Sequence, residues 1–445
     1  MKQQPLSPDP SPAPSSRVRL LVLAVLLLTG AAAAGAQTTV TGQTASGAFY
    51  HVQVPAGWSP SDGLVIWNHG FTLDPPQAMP DLGPLAAVQL AEGYAVAASS
   101  YSLAGWALFQ TGDDLSQMVA AFETAFGVPD EVLVYGASLG GIVTARAIED
   151  GGLGNVTGAY TMCGAVAGSR LWDGGLDLRL LYDFVCDGVF GAAIPGGAGG
   201  LPCDSDFSQL ALALAVNACT GILTPGGSSG AQQARLGTLL AVTGLPAEFV
   251  LTDMGFATFA LRDLVCDPAK LDGGLAMDNA GVVYGDAAVD AGIERVTSDP
   301  AARFHLLDNF TPAGAVGAVK SVAVHTDKDG LVIVENQNEY ASVVAAASLT
   351  VAIVVEDTPT HCDFSEAEAL AGWEALRDWL GGAPQPTATS IGELCATLVG
   401  QGSAVGPCRF DPGFEVPDLD QRIRPRGPVF VDGFESGDTV AWGGR

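Results

Sequence analysis

A single serine stands where a strand-like segment gives way to a helix-like one. Residues 132–135 form an apolar run, residues 136–140 are G-A-S-L-G, and a helical pattern follows at once. A serine in such a G-x-S-x-G turn holds its hydroxyl clear of the backbone, where it can attack a carbonyl carbon. Gly136 and Gly140 are needed because a Cβ at either position would strike the neighbouring strand or helix. The pattern predicts that Ser138 is a nucleophile; the alternative is an inert serine in a glycine-rich turn, since 57 of the 445 residues are glycine.

A serine nucleophile needs a histidine base and a carboxylate that orients it. Residues 321–325 predict a buried strand, and Asp329 lies in the loop that follows. Residues 350–355 predict another strand, and His361, one of only five histidines, lies in the loop after it. Together with Ser138, these residues predict a Ser-His-Asp triad.

With these motifs the chain resembles the secreted serine hydrolases of the α/β-hydrolase superfamily. The stretch 329–332, D-G-L-V, is similar to that superfamily's acid loop, commonly D-x-x-V. The stretch 361–364, H-C-D-F, is similar to the G-H-C-x-F segment of some esterases and peptidases, although Thr360 stands in place of the glycine. The chain order of serine, acid and histidine also matches. The resemblance implies the triad named above.

Asp327 is the alternative to Asp329 as the acid of the triad. Both lie in one turn, and a sequence does not place carboxylates to within hydrogen-bonding distance. The resemblance favours Asp329, which directly precedes the Gly-Leu-Val run. Asp327 would then be a turn residue that hydrogen-bonds its own backbone.

Negative charge that develops on the attacked carbonyl oxygen needs two backbone N–H donors. Leu139, the residue after Ser138, supplies the first. The segment 68–71, N-H-G-F, follows a strand-like run and resembles the H-G-x segment of the same superfamily, which implies Phe71 N–H as the second donor. His69 is a competing catalytic residue, but its place in this segment favours a structural role.

Strand-like and helix-like segments alternate along the chain, which predicts an α/β fold with a mostly parallel sheet and helices on both faces. The α/β-hydrolase core is expected in two pieces, 37–164 and 319–382. Residues 383–445 are expected to form a C-terminal extension or tail. It ends in a D-G-F-E-S-G-D segment for which the sequence indicates no chemistry.

The segment 165–318 is too long and too apolar to be a simple loop. It predicts a largely helical cap domain, inserted after a strand and therefore lying over Ser138. Apolar side chains such as Phe184, Phe190 and Leu214 are expected to hold the substrate there. The alternative is an extension remote from the catalytic centre.

Residues 1–36 have the pattern of a secretory signal peptide. Arg17 and Arg19 precede the apolar run 20–28, and an A-x-A cleavage site occupies 34–36. The apolar run is too short for a stable membrane span. The pattern predicts a secreted or periplasmic protein, in a chain of bacterial style.

Cysteines in an exported chain predict disulfide bonds. The chain has eight: Cys163, Cys186, Cys203, Cys219, Cys266, Cys362, Cys395 and Cys408. Their pairing is not determined by the sequence, except that Cys395 and Cys408 stand together near the C-terminus and favour each other. Metal ligation is the less favoured alternative, because no C-x-x-C or paired-histidine spacing occurs, so neither a metal nor a cofactor is expected.

A formal net charge of −29 argues against a nucleic-acid partner, since phosphates would be repelled. The expected partner is a small-molecule or lipid-like ester, with a peptide as the alternative, and the oligomeric state stays open. The expected activity is hydrolysis of carboxylic esters through an acyl-enzyme. Two alternatives stay open: a serine exopeptidase acting on amides, and an inactive hydrolase-fold protein that serves in binding or adhesion.

Overall fold

The computed structural model describes residues 37–197, 200–224 and 227–426. The predicted signal peptide and the D-G-F-E-S-G-D segment near the C-terminus lie outside the described residues.

A sheet of eight strands forms the centre of the described protein. The strands are β1 (Thr38–Gln43), β2 (Phe49–Val54), β3 (Leu64–Asn68), β4 (Ala95–Ser99), β5 (Val132–Ala137), β6 (Val156–Met162), β7 (Lys320–Thr326) and β8 (Leu349–Val354). Their order across the sheet is β1-β2-β4-β3-β5-β6-β7-β8. Strand β2 runs antiparallel to β1 and β4, and every other neighbouring pair is parallel. The predicted mostly parallel sheet is confirmed.

Thirteen α-helices accompany the sheet in the described residues. They are α1 (Ala86–Ala91), α2 (Leu108–Phe126), α3 (Leu139–Asp150), α4 (Arg170–Val185), α5 (Gln209–Thr220), α6 (Gly230–Thr243), α7 (Val250–Gly255), α8 (Leu261–Cys266), α9 (Ala287–Gly292), α10 (Pro300–Phe310), α11 (Asn336–Val343), α12 (Glu366–Leu380) and α13 (Ala388–Gln401). No single helix among these residues is long and apolar enough to cross a membrane. Only the pair Gly230–Thr243 and Ala247–Cys266, bent by 101°, has the required length and composition.

Helices cover both faces of the sheet. Alternate residues of β3 pack into different cores: Leu64 and Ile66 lie with residues of α2 and α3, whereas Val65 and Trp67 lie with residues of α1 and α12. All five residues of β3 are buried, as expected for a parallel strand between two helical layers. Both faces are therefore apolar, and the polar residues that could do chemistry lie at the ends of the strands.

Two elements differ from the sequence-based expectation. Strand β1 is not predicted from the sequence, because its residues TTVTGQ are polar and largely exposed at the edge of the sheet. The apolar spacing of residues 113–126 predicts a helix that begins at Asp113, whereas α2 begins at Leu108, and Leu108 and Thr111 are buried. Ser365, followed by Glu366 and Glu368, predicts a helix that begins after it, and the start of α12 confirms this: the Ser365 hydroxyl accepts a hydrogen bond from Glu368 N.

All eight cysteines form disulfides. The pairs are Cys163–Cys362, Cys186–Cys219, Cys203–Cys266 and Cys395–Cys408. The predicted Cys395–Cys408 pair is confirmed, and two of the others lie within the insertion between β6 and β7. Four disulfides are typical of a protein that folds in an oxidising compartment.

The segment after α12 packs onto the rest of the protein. Helix α13 lies against α12 and β8. Beyond it, Arg422 pairs with Glu335, and Arg426 pairs with Asp177 of α4. The last described residues thus contact both the core and the insertion.

Candidate active site

Ser138 alone forms the turn between β5, which ends at Ala137, and α3, which begins at Leu139. Its backbone has φ 57° and ψ −124°, a conformation that a non-glycine residue adopts at a cost of about 1–3 kcal/mol. The turn is held by hydrogen bonds from Ser138 N to Met162 O at 3.0 Å and from Gly141 N to Ser138 O at 2.9 Å. This geometry lifts the hydroxyl off the end of the sheet, as a nucleophile requires.

Close backbone packing explains the glycines beside the serine. A Cβ on Gly136 would lie 2.2 Å from Gly140 O, and a Cβ on Gly140 would lie 1.9 Å from Asn68 O. Real Cβ atoms do not approach backbone oxygens so closely. The expectation that both positions require glycine is confirmed.

Three predicted residues meet at the carboxyl ends of their strands. His361 Nε2 lies 3.0 Å from Ser138 Oγ, and His361 Nδ1 lies 2.6 Å from Asp329 Oδ2. The other carboxylate oxygen of Asp329 accepts hydrogen bonds from Leu331 N and Val332 N, both at 3.0 Å. The Asp329 side chain is fully buried, so its charge is directed at the imidazole.

Asp327 lies in the same turn, but its side chain has a different hydrogen-bond partner. Its Oδ1 accepts a hydrogen bond from Glu356 N at 2.8 Å, which ties the turn after β7 to the loop after β8. Of the two candidate acids, Asp329 is the one within hydrogen-bonding distance of His361.

The two predicted oxyanion donors belong to segments that lie next to Ser138. Leu139 N opens α3, and helix-opening N–H groups have no partner within their own helix. Phe71 belongs to the loop after β3, and a Cβ on neighbouring Gly70 would lie 3.3 Å from Ser138 Cβ. Within the described residues, neither N–H donates a hydrogen bond to the protein, so both are available for a substrate oxygen.

The positions of these residues relative to the strands identify the fold. The candidate nucleophile follows β5, the candidate oxyanion loop follows β3, the acid follows β7 and the histidine follows β8. A strained serine between a strand and a helix, with acid and histidine later in the chain, has one well-known setting. The chain has the α/β-hydrolase fold.

Comparisons with known proteins are distant. No protein-family profile matches the chain, and no curated protein is similar to it in sequence. Among solved structures, an esterase from Rhodococcus sp. ECU1013 is 16% identical over 71% of this chain and 90% of its own, with a TM-score of 0.32. Lipase A from Candida antarctica is 14% identical over 87% and 83%, with a TM-score of 0.39.

The rice cell wall degrading esterase LipA from Xanthomonas oryzae is 14% identical over 77% of this chain and 88% of its own, with a TM-score of 0.35. Similarities this distant carry no argument about a substrate. The assignment of the α/β-hydrolase fold rests on the sheet and the serine turn of this chain.

Two other histidines of the hydrolase core have structural partners. His69 stacks on Tyr101, with ring centroids 4.1 Å apart, and its Nδ1 lies 2.8 Å from Gly70 O. Burial lowers the pKa of His69, which favours a neutral ring. Its contacts agree with the structural role that the sequence favoured.

His325 lies next to the candidate acid Asp329, although its sequence context indicates only an ordinary strand residue. Its Nε2 lies 2.7 Å from Val332 O, and its Nδ1 lies 2.9 Å from Gln337 Nε2. Complete burial lowers the pKa of His325, which favours a neutral ring, and the Val332 carbonyl, which can only accept, assigns the proton to Nε2. Although it lies 4.0 Å from Asp329, it therefore brings no charge that would compete with His361.

A disulfide fixes the histidine loop next to the serine turn. Cys362 Sγ lies 3.7 Å from His361 Nδ1 and 3.5 Å from Nε2. Its partner Cys163 directly follows Met162, whose carbonyl oxygen holds Ser138 N. The cross-link thus joins the segment that holds Ser138 to the segment that carries His361. Because both sulfurs are consumed in it, these cysteines are not free to ligate a metal with the neighbouring Asp329 and His361.

Removing this disulfide, which joins residues 199 apart, should lower stability and also disturb catalysis. The double variant Cys163→Ala/Cys362→Ala is expected to lose about 10²-fold in kcat with little change in KM, because a displacement of about 1 Å at a catalytic group costs that much. Steady-state kinetics well below the melting temperature test this. The matched control, Cys395→Ala/Cys408→Ala, removes a disulfide that does not touch His361. Equal losses of kcat in the two variants would show that the Cys163–Cys362 bond has only a general stabilising role.

A largely apolar cavity opens beside Ser138. It holds about 1070 Å³ of empty space, counting its open mouth. Its walls come from three parts of the chain: the core, the insertion and the segment near the C-terminus. Representative lining residues are Phe71, Leu139, Trp106, Leu178, Leu181, Phe256, Leu331 and Ile423.

The insertion lines this cavity with residues other than those expected. Phe190 and Leu214 are 99% and 61% exposed and lie outside it, because they are on the solvent side of the insertion. Phe184 packs against Gly292, also away from the cavity. None of these three residues lines the cavity beside Ser138. No sequence pattern predicts that Ile423 lines the cavity, because it lies far along the chain from the wall residues of the core and the insertion.

Proposed function

We propose that the protein is an exported serine hydrolase that cleaves carboxylic esters through an acyl-enzyme on Ser138. The observation that carries the proposal is the continuous series of hydrogen-bond distances from Ser138 through His361 to Asp329. The strained serine turn and the two free N–H groups beside it add support. Export is supported by four disulfides, which suit an oxidising compartment.

In the first half of the reaction, Asp329 accepts a hydrogen bond from the Nδ1–H of His361 and leaves Nε2 as an acceptor. Nε2 takes the Ser138 Oγ proton while Oγ bonds to the ester carbonyl carbon. The carbonyl π electrons move to the oxygen, where the N–H groups of Leu139 and Phe71 stabilise the negative charge. When the carbonyl reforms, the bond to the alcohol oxygen breaks, and that oxygen takes the proton from Nε2. The alcohol leaves an acyl-serine.

Water then repeats these steps. Nε2 removes a proton from water as its oxygen bonds to the acyl carbon. Collapse of the second tetrahedral intermediate breaks the bond to Ser138 Oγ, which regains its proton from His361. The products are a carboxylic acid and the free enzyme.

In this proposal the acyl chain binds in the apolar cavity beside Ser138. Its wall includes Ser138 itself, so a chain that extends from the acyl carbon enters apolar surroundings directly. Burial of each additional CH₂ contributes about 0.8 kcal/mol. In this proposal the insertion acts as a cap that recognises the chain.

A substrate panel tests the proposal. Nitrophenyl esters from acetate to palmitate should be hydrolysed, with kcat/KM rising from acetate to medium-chain esters, while aminoacyl nitroanilides should react far more slowly. A fluorophosphonate probe should label the protein only at Ser138. Efficient cleavage of the nitroanilides would point to an exopeptidase, and absence of both turnover and labelling would point to a binding protein.

A glycine in the cavity wall offers a test of chain-length selection. Gly175 of α4 lines the cavity, and a Cβ placed there would meet no atom within 4 Å. Gly175→Leu should therefore fill empty space and lower kcat/KM for octanoate and longer esters by about tenfold or more, while leaving acetate within about twofold. Kinetics across the ester panel measure the change.

The control is Gly237→Leu in α6. Gly237 is an exposed helical glycine outside the cavity wall, and a Cβ placed on it would likewise meet no atom within 4 Å. Both substitutions raise helix propensity by a similar amount, so only the cavity effect separates them. An unchanged chain-length profile in Gly175→Leu would contradict the placement of the acyl chain.

A further inference from the structure

One carboxyl group in the cavity has no partner. Asp253 of α7 lines the same cavity as Ser138 and is only 8% exposed. Its Oδ2 is buried without a hydrogen-bond donor, and within the described residues no side chain or backbone group bonds to its carboxyl. A buried polar group left unsatisfied costs about 1–3 kcal/mol, so a carboxyl at this position lowers the stability of the fold.

The other carboxyl group in the wall is different. Its Oδ2 is also buried without a hydrogen-bond partner, but Asp177 Oδ1 accepts a hydrogen bond from Tyr284 at 2.7 Å and pairs with Arg426 at 2.9 Å. Its charge is neutralised within the protein, and its role is structural. Asp253 has neither kind of contact and is available to a ligand.

The surroundings of Asp253 favour a neutral ligand over a cation. Burial and the nearby charge of Asp329 raise the pKa of Asp253 well above its usual range, with Arg422 acting in the opposite direction. Of the two guanidinium groups in the same cavity wall, that of Arg422 is paired with Glu335, so Arg424 is the one whose charge would repel a cationic group. Because Oδ2 is buried, Oδ1 is the oxygen that can face the cavity, and in an uncharged carboxyl it can bond a ligand hydroxyl either as an O–H donor or as a carbonyl acceptor.

We propose that Asp253 is a specificity residue that hydrogen-bonds a hydroxyl group on the acyl chain of the substrate. The enzyme would then prefer hydroxyacyl esters to plain acyl esters of the same length. This inference rests on the proposed ester hydrolase activity and on the binding of the acyl chain in the cavity.

The test compares nitrophenyl octanoate with its monohydroxy isomers, in which the hydroxyl occupies successive carbons. For wild type, at least one isomer should exceed the plain ester in kcat/KM by about tenfold, the value of one well-made hydrogen bond. Asp253→Leu should abolish that preference and raise activity on the plain ester. Asp253→Asn keeps a donor and an acceptor in nearly the same shape, so it should retain the preference to within about threefold.

Asp308→Leu is the matched control, because Asp308 is an exposed carboxylate of the insertion outside the cavity. It should leave the preference unchanged, and melting temperatures verify that all variants are folded. The inference is overturned if no isomer is preferred, or if Asp253→Leu retains the preference. It is also overturned if Asp253→Asn loses the preference and wild type favours amino-substituted esters, because the ligand would then be a cation. Failure of wild type to hydrolyse any ester would instead refute the proposed function.

Discussion

Ser138→Ala is expected to lower kcat for ester hydrolysis by about 10⁶-fold, as loss of a triad nucleophile does elsewhere. The substitution removes one oxygen whose hydrogen-bond partner within the described protein is His361. The backbone bonds that hold the turn involve Ser138 N and O, which alanine keeps. The fold should therefore survive. Single-turnover kinetics and labelling with a fluorophosphonate probe measure the loss.

Two companion variants sharpen this test. His361→Ala should reduce kcat by a similar amount, because the serine and the histidine act as a unit. Ser138→Gly should be as inactive as Ser138→Ala but more stable by about 1 kcal/mol, since glycine adopts the φ of 57° without strain. If Ser138→Ala retains substantial activity with its fold intact, Ser138 is not the nucleophile.

Asp329→Asn is expected to lower kcat by about 10⁴-fold. The Oδ1 of Asp329 accepts two backbone hydrogen bonds, from Leu331 and Val332, and the amide oxygen of asparagine would occupy that place. The amide NH₂ would then face His361 Nδ1 and make it an acceptor. This leaves the proton on Nε2, which can no longer accept the proton of Ser138.

Asp327→Asn is the matched control for the acid. It makes the same chemical change two residues away, and an asparagine oxygen can still accept the hydrogen bond from Glu356 N. Its kcat should stay within about tenfold of wild type. Both variants are compared by steady-state kinetics on one short ester. A larger loss in Asp327→Asn than in Asp329→Asn would move the acid to Asp327.

Local rules of chain geometry explain what the sequence by itself determined. The G-x-S-x-G turn needs glycines where Gly136 and Gly140 lie, because backbone atoms leave no room for a Cβ. Continuous apolar runs such as β3 indicate strands buried on both faces. Successive side chains point to opposite faces of the sheet, so all of them must be apolar when both faces are covered. The loops that follow parallel strands lie at one edge of the sheet. The sequence therefore predicted that Ser138, Asp329 and His361 lie close together.

Contacts between distant parts of the chain were decided only by the tertiary structure. The choice between Asp327 and Asp329 depends on the direction of two side chains in one turn, and spacing does not fix that direction. The pairing of Cys163 with Cys362 joins residues 199 apart in sequence. Ile423 and Asp253 reach the wall of one cavity from different segments, because packing rather than periodicity brings them there. Motifs could thus be predicted where backbone geometry demands a residue type, whereas the cavity depends on shapes that form only when the insertion and the C-terminal segment fold onto the sheet.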